Sequence, residues 1–396
     1  MRYFMHMHTR LFPVLAAAAL ILGGCGGAAE PVVGVVLPFT GEASPYGEHI
    51  REGINLAVEE VNATGGVKGK PLKVLFEDSA TDDETGKAAA RKLIQQDHVL
   101  AIIGGATSSV TLAILEDVCE PAKVVLLSPA ASSPNLSGKS PYFLRVYPSD
   151  TLEAARMADM AGHELRLKRL VIFAEAGEYG RGYKKALMDR YTRIKNRKVI
   201  KVFNFMPGDR DFGAMIQEAA GINPDGIFLI GYMGSVSSLV NDIRAAGITI
   251  PILTSGSLTD DFPAVAGAAA EGVLFASPSF RAIGNQDQVE SFIKAFKARY
   301  GREPGDYAAY GYDALRVMAQ VMAAGDKLTR TAVHMAIRTP ASEYEGVTGN
   351  ILFGNEGDVV ASPTTFIISD GAIMRYKAYL EAGGTPPGQP SDGNED

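Results

Sequence analysis

The stretch Val32-Val33-Gly34-Val35-Val36-Leu37-Pro38-Phe39-Thr40-Gly41 decides the fold. Its first six residues form a continuous apolar, β-branched run, the pattern of a strand buried on both faces. Residues 49–62 follow with Ile50, Ile54, Ala57, Val58 and Val61 on one helical face. Asn62-Ala63-Thr64-Gly65-Gly66 then supplies the glycine stop of a helix C-terminus. A buried strand leading into an amphipathic helix is the first half of a βαβ unit. Working outward, the same rhythm predicts strands at 72–76, 99–104 and 124–128, with helices at 84–96 and 108–120 between them.

A second series begins after Leu144-Arg145-Val146-Tyr147-Pro148. It predicts helices at 152–164, 182–193, 212–220 and 235–246, alternating with strands at 170–173, 198–203, 226–230 and 250–254. From Gly272 the order loosens into one strand, helices at 289–300, 308–324 and 331–338, and late strands near Phe353, Phe366 and Met374. The expected fold class is therefore α/β, with two doubly wound lobes and a final part shared between them. In open α/β sheets a ligand sits beyond the carboxyl ends of the strands, so two such lobes put both sets of ends around one cleft. The size agrees: 396 residues suit two or three compact units. The composition, 46% hydrophobic and 21% charged, is that of a globular protein, which excludes collagen-like, disordered and disulfide-scaffold chains. A net charge of −7 offers no basic face for nucleic acid.

The first 24 residues read as an export signal. Arg2 and Arg10 supply the positive region, 11–22 the apolar run, and Leu22-Gly23-Gly24-Cys25 resembles a bacterial lipobox. Cys25 is then the lipidated first residue of the mature chain, and 25–30 is a tether. Two or three acyl chains there hold a protein on a membrane durably. Cys119 is left without an intramolecular partner. At the other end, 381–396 is rich in Gly, Pro, Ser and Asp and reads as a disordered tail.

Chemistry-bearing motifs are sparse. His49, His98, His163 and His334 have no metal-ligand spacing, and no Gly-x-Ser-x-Gly elbow, P-loop or Gly-x-Gly-x-x-Gly occurs. Asp78, Asp82, Asp83 and Glu84 lack the spacing of a calcium loop and read as a solvated turn with a helix cap. The expectation is no enzyme, no metal and no cofactor.

Three passages carry a family resemblance. The first is Val32 through Gly41 with Tyr46-Gly47 and Gly65-Gly66-Val67-Lys68-Gly69. The second is Ile102-Ile103-Gly104-Gly105 with Thr107-Ser108-Ser109. The third is Ser128-Pro129-Ala130-Ala131-Ser132. With Glu178-Tyr179-Gly180, Gly231-Tyr232 and Tyr310-Gly311-Tyr312-Asp313-Ala314, they resemble the leucine/isoleucine/valine-binding family of type I periplasmic solute-binding proteins. That resemblance implies two Rossmann-like lobes joined by a three-segment hinge, with crossings near Tyr147, Ser277 and Asn355. The N-terminal lobe would be 31–147 plus 277–354, and the C-terminal lobe 148–276 plus 355–380.

The resemblance also assigns roles. Ser108, at a helix N-terminus where amide groups and dipole favour an anion, would hold a ligand carboxylate. Ala130 and Ser132 would accept from its ammonium. Tyr46, Ala106, Thr107 and Tyr307 would wall its side chain, Tyr179 and Tyr232 would close over it, and Ser257 lies in the loop completing the pocket. The implied function is an exported, membrane-anchored receptor of an ABC importer, acting as a monomer with permease transmembrane subunits as partners. One departure bears on the ligand. Amino-acid-binding members have a carboxylate after the strand equivalent to 250–254, where this chain has Ser255-Gly256-Ser257 and no acid before Asp260. Either Asp260 or Asp261 turns in, or the ligand is an aliphatic or aromatic carboxylic acid without an ammonium. A sensory receptor of the same fold and a periplasmic α/β enzyme are the other readings.

Overall fold

A computed structural model of the protein describes Met1 and residues 30–339 and 343–388. Signal residues 2–24, Cys25, tether residues 26–29 and tail residues 389–396 lie outside the described residues. The opening stretch forms β1 (Val32–Leu37), whose Val33, Val35, Val36 and Leu37 are fully buried. It lies inside the first sheet, parallel to β2 (Lys73–Asp78) on one side and β3 (Ala101–Gly104) on the other. With β4 (Val125–Ser128) and β5 (Phe143–Arg145) the five strands run in the order β2-β1-β3-β4-β5. The helices α1 (Ser44–Ala63), α2 (Asp83–Gln95) and α3 (Ser108–Ile114) make the parallel crossovers.

The second lobe is built around α4 (Asp150–Asp159), β6 (Arg169–Glu175), α5 (Glu178–Tyr191), β7 (Lys198–Phe205), α6 (Gly213–Gly221), β8 (Gly226–Ile230), α7 (Met233–Ala245), β9 (Ile252–Thr254), α8 (Phe262–Ala266) and β10 (Leu274–Ser277). The chain then returns to the first lobe through α9 (Phe280–Ile283), α10 (Gln286–Tyr300), α11 (Asp306–Ala324), α12 (Arg330–Ile337) and a hairpin of β11 (Tyr344–Gly346) and β12 (Gly349–Ile351). It ends in β13 (Thr364–Ser369), β14 (Ala372–Arg375) and α13 (Tyr376–Glu381). The second sheet has seven strands in the order β14-β13-β10-β9-β8-β6-β7, with β13 and β14 its antiparallel edge. The fold is α/β with two doubly wound lobes, as the strand rhythm predicts.

The third crossing lies later than expected. Residues around Asn355 stay on the first lobe: Glu356 and Gly357 carbonyls accept from the Gly138 and Arg145 amides, both at 3.0 Å. The cause is Arg145, fully buried in β5, which needs a counter-charge and finds Asp358 at 2.7 Å. Gly357 permits that approach with φ +83°, since a Cβ there would stand 2.3 Å from the Phe143 carbonyl. Residues 381–388, expected to open the loose tail, lie against the second lobe. The Tyr379 hydroxyl donates to the Thr385 carbonyl at 3.0 Å, and Gly388 packs beside Pro251.

Three helices start earlier than apolar periodicity places them. α1 begins at Ser44 with Pro45 in its first turn, where the missing N–H has no partner to lose. α5 begins at Glu178 and α7 at Met233. These first turns carry Tyr46, Tyr179 and the N-cap Tyr232. Facing glycines set the distance between α1 and α11: a Cβ on Gly53 would lie 1.8 Å from the Ala308 carbonyl, and one on Gly311 2.4 Å from that of Ile50.

Candidate ligand-binding cleft

The strand carboxyl ends of both sheets face each other, and the helices that follow aim their first turns into the gap. The gap is lined by Tyr46, Ala106, Ser108, Ala130, Ser132, Tyr147, Asp150, Glu153, Tyr179, Tyr232, Ser257 and Tyr307. Every ligand residue expected from the sequence is there except Thr107, which is buried at the N-cap of α3. About 330 Å3 of space unoccupied by protein atoms lies within the cleft and its mouth.

Ser108 opens α3 and is 1% exposed. Its hydroxyl accepts from the Ser133 amide at 3.2 Å, which leaves its own proton to donate. The Ser108 amide faces the Tyr232 hydroxyl. The tyrosines form one connected cluster. The Tyr46 ring stands 4.9 Å from Tyr307 and 5.7 Å from Tyr232 in edge contacts, and Tyr179 stacks on Tyr232 at 5.3 Å. Close packing of α1 on α11 is what brings Tyr46 and Tyr307 together. Burial pushes the Tyr179, Tyr232 and Tyr307 hydroxyls well above the phenolic range, so they remain neutral hydrogen-bonding groups.

The acid expected beside Gly256 comes from elsewhere in the chain. The Gly256 amide donates to Glu153 Oε1 at 2.7 Å, and Glu153 sits in the first turn of α4, directly after the first crossing. Asp150, one turn earlier, lines the same space, and its Oδ2 has no hydrogen-bond partner among the described residues. The two residues are 2% and 4% exposed. Burial holds both carboxyls above the usual carboxylate range, while Ser132 and Arg145 act against it at Asp150. Asp260 and Asp261 do not turn in: Asp260 packs at the rim by Asp306 and Arg281, and Asp261 lies 3.9 Å from His49. Sequence reasoning missed Tyr147, Asp150 and Glu153. The signal was Asp150-x-x-Glu153 after the N-cap Ser149, which reads as ordinary acidic capping of a helix dipole.

Polar bonds join the lobes across the cleft. The Tyr46 hydroxyl donates to the Ser257 carbonyl at 2.7 Å and accepts from the Met233 amide at 2.8 Å. Glu42 accepts from Arg210 at 3.1 Å and from Ser235 at 2.9 Å. Glu178 accepts from Asn135 at 2.6 Å and Ser133 at 3.2 Å, while its amide donates to Ser109. Among the described residues no group of three or more His, Cys, Asp or Glu could hold a metal ion, and no helix is long and apolar enough to cross a membrane.

Comparison with known proteins gives a consistent result. A Leu/Ile/Val-binding protein homolog of Brucella melitensis is 26% identical over 377 residues, covering 93% of this chain and 99% of that one. A leucine-, isoleucine-, valine-, threonine- and alanine-binding protein of Pseudomonas aeruginosa is 26% identical, covering 89% of this chain and 92% of that one. The crystal structure of a leucine-binding protein from Thermotoga maritima superposes with a TM-score of 0.80 at 28% identity, covering 87% of this chain and 97% of that one. The family model described as periplasmic binding protein matches residues 31–372, both lobes and all three crossings. The chain belongs to the periplasmic binding protein family.

Proposed function

We propose that the protein is the extracytoplasmic substrate-binding receptor of an ABC importer, taking a small amino acid, branched-chain first, into the cleft by hinge closure. The observation that carries this reading is the asymmetry of the cleft. One wall presents the first turn of α3 with Ser108, which suits a carboxylate, and tyrosines bound the rest. In the bound state the ligand's carboxylate replaces the Tyr232 hydroxyl before the Ser108 amide, Ala130 and Ser132 meet its ammonium, and Tyr46, Tyr179 and Tyr307 enclose its side chain. The relatives' names support the ligand class: leucine, isoleucine and valine recur, and a neighbour from Desulfitobacterium hafniense, 27% identical, is an ABC transporter substrate-binding protein in complex with Leu. Interlobe bonds at Glu42, Tyr46 and Glu178 support closure as the event that a permease reads. The reading includes a lipid anchor at Cys25, action as a monomer and no catalysis.

The test is a thermal-shift and calorimetric panel of the twenty amino acids. A ligand at 100 times its Kd adds ~2.7 kcal/mol to stability, a clear rise in Tm. Leucine, isoleucine or valine should give it, without turnover. A panel in which no amino acid shifts the melt overturns the reading.

A further inference from the structure

The loop 255–257 lacks the acid that would neutralise a ligand's ammonium, yet the space beside it is not empty of charge. A Cβ built on Gly256 would stand 2.7 Å from Glu153 Oε2 and 2.1 Å from the Ala276 carbonyl. The Ala276 carbonyl bars a side chain at 256, and the glycine there also leaves Glu153 room beside the loop. The same carboxylate is fixed by the Gly256 amide at 2.7 Å. Asp150 lies one turn away on the same helix face, buried, lining the cleft, with Oδ2 unpartnered among the described residues. Ser132 adjoins this pair, its carbonyl accepting from the Asp150 amide at 2.9 Å, and Ala130 lines the same cleft. The residues lining the cleft include no Lys, Arg or His, and Arg145 behind Asp150 is already committed to Asp358 and to the Ala131 and Ser133 carbonyls.

We propose that Glu153, with Asp150, is the counter-charge for the ligand's ammonium, delivered from the hinge-proximal helix α4 instead of from the loop after β9. The inference rests on the amino-acid reading and narrows it: the ligand must carry a cationic nitrogen, so a bare aliphatic or aromatic carboxylic acid is excluded. A ligand without a cation would leave two buried carboxyls uncompensated and offer nothing to the orphan Oδ2, whereas an ammonium satisfies that atom and stabilises the ionised form of the pair. Because α4 follows the first crossing directly, the cation also ties the ligand to the hinge.

The test is calorimetric titration of the full-length mature chain and of E153Q and D150N with L-leucine, 4-methylpentanoate (leucine's carboxylate skeleton without the amine) and isopentylamine (the amine without the carboxylate). A glutamine carbonyl can still accept from Gly256, so E153Q removes charge while sparing the bond; equal melting of free wild type and variant checks this. Wild type should favour leucine over 4-methylpentanoate by at least ~100-fold, and E153Q should weaken leucine by at least ~30-fold while leaving 4-methylpentanoate unchanged or tighter. Equal affinity of wild type for the two, or leucine affinity within about threefold in E153Q, overturns the inference while the amino-acid receptor stands. Binding of 4-methylpentanoate alone overturns both. Binding of isopentylamine alone, lost in E153Q, supports the carboxylate pair and removes the amino-acid reading. Silence from leucine and isopentylamine alike overturns the pair as a cation site.

Discussion

Replacing Gly53 with alanine tests how the packing of two helices sets the site. The added Cβ would stand 1.8 Å from the Ala308 carbonyl oxygen and 2.8 Å from the Tyr312 amide nitrogen, both backbone atoms of α11. That is roughly an ångström and a half short of ordinary contact, and no rotamer change relieves it, so the helices must separate. Overpacking of this kind costs ~1–3 kcal/mol, and the backbone clash puts Gly53→Ala at the upper end. Tyr46 lies two turns before Gly53 on α1, and Tyr307 lies one turn before Gly311 on α11, so separation also spreads the edge contact at 4.9 Å. Leucine affinity should fall by about tenfold along with stability. Urea unfolding and calorimetric titration read the two effects. Gly221→Ala is the control: nothing lies within 4 Å of its Cβ and its φ is not positive, so the same substitution should be neutral or stabilising by ~0.4–1 kcal/mol. Gly311→Ala, 2.4 Å from the Ile50 carbonyl, should cost a similar amount, and the double variant less than the sum, because helices already parted accommodate the second methyl. A Gly53→Ala protein as stable as wild type, or strict additivity of the pair, refutes the claim that this contact sets the spacing.

Ser108→Ala should weaken leucine by about tenfold, the value of one hydrogen bond to a charged group, and unchanged affinity removes the carboxylate assignment. Tyr46→Phe loses the bonds to Ser257 and Met233 that span the cleft; the free protein should show a larger radius of gyration by small-angle scattering, and an unchanged radius rejects the latch. Burial beside Glu42 pushes the Glu175 carboxyl up to about 8. The folded state therefore holds that proton more tightly than the unfolded chain, and stability falls as pH rises between the two values, by up to ~1.4 kcal/mol per pH unit. Urea unfolding of the free protein should give lower stability at pH 8 than at pH 5, and Glu175→Gln should flatten part of that slope; an identical slope removes Glu175 as its source.

The strand rhythm was legible because parallel strands, buried on both faces, must be apolar throughout, as in Val32–Leu37. Helix starts were less so. The first turns of α1 and α5 hold Tyr, Gly and Glu in place of an apolar stripe, and α7 follows an N-cap Tyr, since those starts face the cleft instead of a sheet. The third crossing depends on Arg145 and Asp358, 213 positions apart, and no local pattern announces such a pair. The carboxylates were hidden for a different reason. Asp150 and Glu153 have the spacing of any acidic first turn, and only the tertiary fold makes them buried. Even so, a local mark of them stood in plain view. Ser255-Gly256-Ser257 reads as a place where an acid is missing, yet an acid has come in from α4 to the Gly256 amide, and a side chain at 256 would collide with the Ala276 carbonyl and crowd that acid. A glycine at the end of a strand in a binding loop thus carries two meanings, a group lost or a group admitted. Close approach of a foreign side chain to its absent Cβ decides for the second.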